Sequence, residues 1–182
     1  MSIKLQVLKG DITQEDVDAI VNAAHEGLTG GVDGAIHAAA GPQLLGECLN
    51  LHGCPIGQAR ITSGYELKAR YVLHTVGPTW RGGKYNEAED LSNCYRHCLM
   101  IAHLQGLHSI SFPCLSTGAF VFPKELASVV AVGAVKDFLN WIPQTNLELI
   151  RFVCFDEENY RHYLSIIPTG EDDFEPKPTA TP

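Results

Sequence analysis

Two glycine-rich stretches of the sequence have the composition of loops that bind a phosphate or pyrophosphate through the backbone. The first, NAAHEGLTGGVDGAIHAAAG at 22–41, holds eleven Gly or Ala among its twenty residues and no Lys or Arg. The second, STGAFVF at 116–122, also lacks a basic residue. Glycines let the backbone approach a ligand closely, and helices beginning near Asp33 and Pro123 would add unpaired N–H groups. The alternative is that both stretches are tight turns with small helix-packing side chains.

Two common nucleotide-binding motifs are absent from the chain. The sequence contains neither GxxxxGKS nor GxxxxGKT, so it is not a P-loop protein. No GxGxxG follows the first apolar run, which argues against a dinucleotide-dependent dehydrogenase. A site in these loops would therefore bind its ligand without the usual lysine or dinucleotide fingerprint.

The composition predicts one cytoplasmic globular domain. The chain has 182 residues, 45% hydrophobic residues and a formal net charge of −8. The first residues lack the pattern of a signal peptide, and no apolar run reaches the roughly 18 residues that a membrane span needs. We therefore expect no membrane partner and six reduced cysteines. The acidic charge argues against a nucleic-acid partner, which needs a basic face.

Alternating apolar runs and helical patterns predict the fold class, an α/β domain with three α/β/α layers. Continuous apolar runs such as YVLHTV indicate strands covered on both faces. The predicted strands are 4–8, 19–22, 60–63, 71–76, 109–115 and 147–155, and the predicted helices are 33–40, 43–51, 87–105, 123–140 and 157–167. The domain spans 1–167, and the Pro- and acid-rich segment 168–182 is expected to be a flexible tail.

Six motifs in order resemble the signature series of a macrodomain, most closely the MacroD-type branch of ADP-ribose-binding modules and ADP-ribosyl hydrolases. The resemblance runs from about Ile3 to Ile167 and implies a mixed, mostly parallel six-stranded sheet between layers of helices. The motifs are GDIT (10–13), VNAA (21–24), GGVDGAIHAAAG (30–41), HTVGPTW (74–80), PCLSTGAFVFP (113–123) and FVCFDEEN (152–159).

The resemblance implies a binding site for ADP-ribose. Asp11 would accept a hydrogen bond from the adenine amine beside the Ile12 backbone, and Phe155 would stack on the base. The loop 116–120 would wrap the diphosphate and the distal ribose. The implied ligand-binding residues are Asp11, Ile12, Asn22, Gly31, Val32, Gly34, Ala35, Ser116, Thr117, Gly118, Ala119, Phe120 and Phe155.

The resemblance also implies hydrolysis of a group attached at the distal ribose. The substrates would be O-acetyl-ADP-ribose or proteins ADP-ribosylated on Asp or Glu, without a cofactor or a metal. Asp33 is the expected catalytic residue, which orients or activates a water, although a carboxylate there would also favour a helix dipole. His25 stands where hydrolytic relatives have an Asn, and it is the second expected catalytic residue. The alternative is a non-catalytic reader of ADP-ribose; a more distant one is an RNA-end or poly(A)-binding module.

Other reactive side chains have plainer interpretations. Cys94 and Cys98 lie four residues apart on a predicted helix, and we interpret them as core thiols rather than metal ligands. His74, within a predicted strand, is expected to be a hydrogen-bonded core histidine. The basic segment 80–84, WRGGK, is expected to be a solvated loop near the ligand entrance.

Overall fold

A computed structural model describes residues 2–28 and 34–177 and contains one seven-stranded mixed sheet. Five neighbouring strands are parallel, and an antiparallel strand flanks them on each side. The strands are β1 (Ile3–Lys9), β2 (Ala19–Ala23), β3 (Ala59–Ser63), β4 (Tyr71–Thr75), β5 (Ser109–Phe112), β6 (Leu149–Cys154) and β7 (Glu171–Phe174), in the spatial order β3-β4-β2-β5-β6-β1-β7.

Helices cover both faces of the sheet, which gives the three predicted layers. They are α1 (Gly34–Ala40), α2 (Pro42–Asn50), α3 (Glu87–Leu104), α4 (Lys124–Trp141) and α5 (Glu157–Ile166). One buried cluster joins α3, α4 and α5 to the sheet, and a smaller one joins α1 and α2 to the other face. Neighbouring β2 residues alternate between the clusters, Ile20 in the smaller and Val21 in the larger, because successive strand side chains point to opposite faces.

The predicted elements are confirmed within a few residues at their ends, but the prediction of a flexible tail from 168 is wrong for Glu171–Phe174. This segment is β7, which pairs antiparallel with β1. Lys136 on α4 contributes a 2.8 Å ion pair to Asp172, and its ammonium lies 5.5 Å from the centre of the Phe174 ring. Backbone pairing with an edge strand requires little hydrophobicity, so an acid-rich segment can form a strand that composition does not predict.

Parallel strands bring several chain segments to one edge of the sheet. The carboxyl ends of β1, β2, β4, β5 and β6 lie together, and both glycine-rich stretches follow strands of this group. Ligands of such sheets bind outside the carboxyl ends of the strands, so this edge is the expected place for a site. Within 2–28 and 34–177, no helix is long and apolar enough to cross a membrane.

Candidate functional site

A cleft with two cavities opens at this edge of the sheet. The large cavity has a volume of about 380 Å³ and is lined by the segment after β1, the segment after β6 and the first turn of α5. The small cavity, about 180 Å³, lies between the end of β2, Gly77 and the loop 116–120. Cys114 and Gly118 line both cavities. The two cavities therefore form one cleft, with the loop after β5 at its middle.

Asp11 stands at the mouth of the large cavity, directly after β1. Its Oδ1 accepts hydrogen bonds from the Thr13 backbone N–H at 2.9 Å and from Thr13 Oγ1 at 2.7 Å, which caps a short 3-10 turn at Ile12–Gln14. Asp11 is therefore the cap of this turn. Because both hydrogen bonds use Oδ1 and the residue is exposed, Oδ2 remains accessible to a ligand amine.

Phe155 lies at the same cavity, directly after β6. Its side chain is 85% exposed, the most exposed among the large apolar side chains of the described residues. An aromatic ring that ends a buried strand would normally pack into the core, and Phe155 does not. Its exposed face is free to stack on a planar ligand, an arrangement that is worth about 1–3 kcal/mol per base in single-strand nucleic-acid binders.

Asp156 and Asn159 join the large cavity to the loop after β5. Asp156 caps α5, accepting the Asn159 N–H at 2.7 Å, and the Asn159 amide donates 2.9 Å to Asp156 and 3.2 Å to Thr117 Oγ1. Partial burial acts to raise the pKa of Asp156, but these donors and the Lys124 ammonium at 3.5 Å hold that pKa below its ordinary value. The carboxylate is therefore ionised at neutral pH and fixes Thr117 through Asn159.

The wall of the small cavity is a loop with an unusual backbone. Ser116 has φ 64° and Val121 has φ 51°, both in the left-handed region that disfavours side chains with a β-carbon. The loop is closed by the hydrogen bonds Phe122 N to Ser116 O, 2.9 Å, and Val121 N to Gly118 O, 3.0 Å. A β-carbon at Gly77 would collide with Ser116 Oγ, so only glycine fits opposite this loop.

The His25 side chain reaches the same end of the cleft. It is half-buried, and its ring meets the Phe120 ring edge-on at a centroid distance of 6.0 Å. Phe120 lines the small cavity, so an imidazole lies beside the pocket where the resemblance expects an amide.

Asn22 does not line either cavity. It is buried in β2, and its Nδ2 donates to His74 Nδ1 at 3.1 Å, so the neutral imidazole carries its proton on Nε2 and donates 2.8 Å to Thr62 Oγ1. Burial, with the nearby charge of His37 as a smaller contribution, lowers the pKa of His74 to about 4. The interpretation of His74 as a hydrogen-bonded core histidine is confirmed. Asn22 therefore holds β2 in place within the core, and the last residue of β2, Ala23, lines the small cavity.

The structure brings most of the expected ligand-binding residues together. Those at the large cavity are Asp11, Ile12, Ala35, Thr117, Gly118 and Phe155. Those at the small cavity are Ser116, Gly118, Ala119 and Phe120. Gly34 is exposed at the start of α1 and lines neither cavity. Gly31, Val32 and the expected catalytic Asp33 lie outside the described residues, so their placement in the site stays a prediction.

Several residues that line the two cavities were not predicted to be site residues. Asn159 and Asp156 belong to the motif FVCFDEEN, and their spacing is that of a helix cap, a signal that could have placed them at this edge. Gly77 follows β4, and its need for glycine arises from a distant loop. Local patterns cannot reveal that kind of requirement.

Cys94 and Cys98, which were expected to be core thiols, are buried in the core. Cys94 donates to the Val76 carbonyl at 3.3 Å, and burial raises its pKa to about 11. Burial also raises the pKa of Cys98. Both side chains are fully buried and stay protonated, so they pack as small apolar groups. Among the residues that the structure describes, no three His, Cys, Asp or Glu side chains are grouped to hold a metal ion.

Known proteins share both the sequence and this architecture. The chain matches the family model described as Macro domain over residues 21–131. It is 51% identical over 171 residues to a macro domain-containing protein of Listeria monocytogenes, covering 91% of this chain and 97% of that protein. It is 48% identical over 179 residues to a Salmonella typhimurium protein named O-acetyl-ADP-ribose deacetylase, covering 95% of this chain and 99% of that protein.

Solved structures agree with these relatives. A mutant of the Oceanobacillus iheyensis macrodomain with ADPR matches with a TM-score of 0.84 at 38% identity, over 93% of this chain and 98% of that chain. The Trypanosoma brucei macrodomain in complex with ADP-ribose matches with a TM-score of 0.82 at 43% identity, over 90% of this chain and 68% of that chain. The chain belongs to the macro domain family, and the predicted fold class is confirmed, with seven strands rather than six.

Proposed function

We propose that this protein binds ADP-ribose and hydrolyses the group attached at the distal ribose. The observation that carries the proposal is the two-part cleft, with an exposed aromatic ring at one end and a glycine-containing loop at the other. Such a cleft suits a long ligand with a base at one end and a sugar at the other. A relative named O-acetyl-ADP-ribose deacetylase and a related structure in complex with ADP-ribose support this assignment.

Within this proposal, the large cavity binds the adenosine. Phe155 stacks on adenine, and the exposed Oδ2 of Asp11 accepts a hydrogen bond from the adenine amine. The loop 116–120 follows the diphosphate and reaches the distal ribose in the small cavity. Since Arg and Lys are absent from this loop, the phosphates are held by backbone N–H groups, which suits a protein with a net charge of −8.

The proposed reaction takes place at the small cavity. Asp33 orients or activates a water, a contribution that typically accelerates hydrolysis by about 10²–10⁴-fold. His25, beside Phe120, holds the distal ribose or the water through a ring nitrogen. The substrates are O-acetyl-ADP-ribose and proteins ADP-ribosylated on Asp or Glu. A cytoplasmic location is part of the same proposal, and no cofactor is required.

Calorimetry with ADP-ribose and AMP tests the binding site. ADP-ribose is expected to bind more tightly, because its second phosphate and distal ribose contact the loop 116–120 and the small cavity. Equal affinities for the two ligands would remove the small cavity from the binding site.

Turnover of O-acetyl-ADP-ribose tests the hydrolase against the alternative of a non-catalytic reader. The wild-type protein is expected to release acetate, and His25→Asn is expected to hold or raise that rate, since an amide can hold the ribose as the imidazole does. His25→Ala should lower it. Binding of ADP-ribose without turnover, in both the wild type and His25→Asn, would identify the protein as a reader.

A further inference from the structure

The loop Trp80–Asn86, here named the cationic loop, presents two positive charges beside the small cavity. Arg81 and Lys84 are exposed, and within the described part of the chain neither forms an ion pair. The Arg81 guanidinium lies 5.9 Å from the centre of the Tyr85 ring, which is itself 64% exposed. In a protein with a net charge of −8, two such cations on one loop are distinctive.

The backbone of the cationic loop is held firmly. The buried Glu87 carboxylate accepts N–H groups of Arg81 at 2.8 Å, Gly83 at 3.2 Å and Tyr85 at 2.8 Å. Desolvation acts to raise the pKa of Glu87, but these N–H groups outweigh it and hold that pKa below its ordinary value. Glu87 is therefore ionised, and its carboxylate is hydrogen-bonded to the loop backbone. The side chains of Arg81 and Tyr85 remain at the surface.

The cationic loop is directly connected to the proposed reaction site. Trp80 N donates 2.8 Å to the Phe120 carbonyl, and the Trp80 and Phe122 rings lie 4.8 Å apart. Gly77 lines the small cavity, and Pro78, Thr79 and Arg81, which follow it in the chain, line an adjacent groove of about 180 Å³. The segment 77–81 thus passes from the distal-ribose end of the cleft into this groove.

The groove lining adds an apolar contact and two acidic groups, of which Glu87 is already hydrogen-bonded to the loop backbone. Ile56, 44% exposed, lines it together with Tyr85, and Asp90 contributes a half-buried carboxylate. Among the described charged residues that line the groove, only Arg81 is exposed, and the exposed Lys84 lies on the same loop outside that lining. The surface therefore offers an apolar floor for an extended chain and cations for its acidic side chains.

We propose that the cationic loop and this groove dock an acidic polypeptide whose Asp or Glu side chain carries the ADP-ribose. This inference rests on the proposed hydrolysis at the distal ribose, since the leaving group must project from the small cavity. An acetyl group is too small to reach the groove. A modified protein segment is long enough, and carboxylates flanking the modified residue pair with Arg81 and Lys84. The docking surface then favours ADP-ribosylated acidic protein segments over O-acetyl-ADP-ribose.

The test compares three substrates in the wild type and in the double variant Arg81→Gln/Lys84→Gln. The substrates are O-acetyl-ADP-ribose, a peptide with ADP-ribosyl-glutamate flanked by acidic residues, and the same peptide with neutral flanks. The variant is expected to lose about two- to tenfold in kcat/KM on the acidic peptide, mainly through KM, as exposed ion pairs contribute modestly. Raising the salt concentration should lower kcat/KM of the wild type on that peptide alone.

The control variant is Lys4→Gln/Lys68→Gln, which removes two exposed cations at the opposite edge of the sheet. It should leave all three substrates unchanged. Equal kcat/KM for the wild type and the double variant on the acidic peptide, or equal losses on all three substrates, would overturn the docking surface. Wild-type turnover of O-acetyl-ADP-ribose with no such discrimination would leave the proposed hydrolase intact, whereas no turnover of any substrate would overturn both proposals.

Discussion

The two cavities of the cleft are built in contrasting ways. At the large cavity, polar side chains are held by short hydrogen bonds, such as Asp11 to Thr13 and Asp156 to Asn159, and no described lining residue has a positive φ. At the small cavity, the lining residue Ser116 and, in the same loop but outside the lining, Val121 are both non-glycine residues in the left-handed region. One end of the cleft has a relaxed backbone, and the other has a strained one.

This difference matches the division of tasks in the proposed function. Recognition of adenosine needs a surface that is already in place, which a relaxed and hydrogen-bonded backbone supplies. Strained backbone conformations cost about 1–3 kcal/mol each and cluster at sites of chemistry, where the surrounding structure holds them. The small cavity, next to His25, is where the proposal places hydrolysis. Four predictions test this contrast: two measure turnover or ligand affinity, and two measure the stability of the structure around the small cavity.

The largest expected effect concerns the reaction end. Asp33→Ala should lower turnover of O-acetyl-ADP-ribose by about 10²–10⁴-fold, the usual contribution of a group that activates water. The melting temperature should change by only a few degrees, since a charge near a helix terminus is worth about 1 kcal/mol or less. Kinetics and thermal unfolding of the variant measure both. Asp173→Ala, an exposed carboxylate on β7, is the control; unchanged turnover in Asp33→Ala would remove Asp33 from the mechanism.

The second prediction concerns the buried support beneath the small cavity. His74 has a folded pKa of about 4 and an unfolded pKa of about 6.5, so the unfolded chain binds the extra proton between these values. The contribution of His74 to the free energy of unfolding should be constant above pH 6.5. It should decrease as the pH drops, by about 3 kcal/mol at pH 4 and below. Urea denaturation from pH 7.5 to 4 measures this loss.

Other groups also titrate in this range, so the comparison with His74→Gln isolates the histidine. Glutamine offers a donor and an acceptor to Asn22 and Thr62 but does not titrate. The variant should lose less stability between pH 6.5 and 4 than the wild type. Parallel pH curves for the two proteins would contradict the buried, neutral imidazole.

Phe155→Ala should act on binding alone. Loss of stacking is expected to weaken ADP-ribose affinity by about 1–3 kcal/mol, with little change in kcat at saturating substrate. Because the ring is 85% exposed, stability should not fall. Calorimetry checks the affinity, and Trp141→Ala, an exposed aromatic at the end of α4, serves as the comparison. A core-packing role for Phe155 would instead appear as a lower melting temperature with unchanged affinity.

The smallest expected effect concerns the backbone strain at Val121. Val121→Gly removes a β-branched residue from the left-handed region, a conformation that costs the folded state roughly 1–2 kcal/mol. Glycine in turn favours the unfolded state through its extra backbone freedom, but only by roughly 0.5–1 kcal/mol. The free energy of unfolding should therefore rise by about 0.5–1 kcal/mol. The matched change Val129→Gly, on an exposed face of α4, should lower stability. A lower stability in both variants would show that Val121 is not strained.

Much of the fold could be predicted because it depends on local patterns. Apolar runs such as YVLHTV and stripes such as that of Glu87–Leu104 set the strands and helices, and their order set the layers. β7 escaped prediction because its pairing uses the backbone edge of β1, and its side chains are mostly acidic. Hydrophobic periodicity contains no information about such pairing.

The candidate site divides in a similar way. The sequence predicted that Asp11, the loop 116–120 and Phe155 belong to a binding site and follow strands. Their meeting in one cleft required the parallel strands that bring positions more than a hundred residues apart to a common edge. Asn22 shows the limit, because its hydrogen bond to His74 in the core was not predicted from the sequence, and its role at the ligand stays a prediction.

Apart from β7, the sequence by itself determined the strands and helices, their order and the residue types available at each strand end, since these depend on neighbours along the chain. Only the tertiary structure decided which face each side chain takes. It left Phe155 exposed, buried His74 among hydrogen-bond partners, forced Val121 into a left-handed conformation and set the cationic loop beside the small cavity. Each of these outcomes depends on contacts with distant segments, and their energies arise only when the chain is folded.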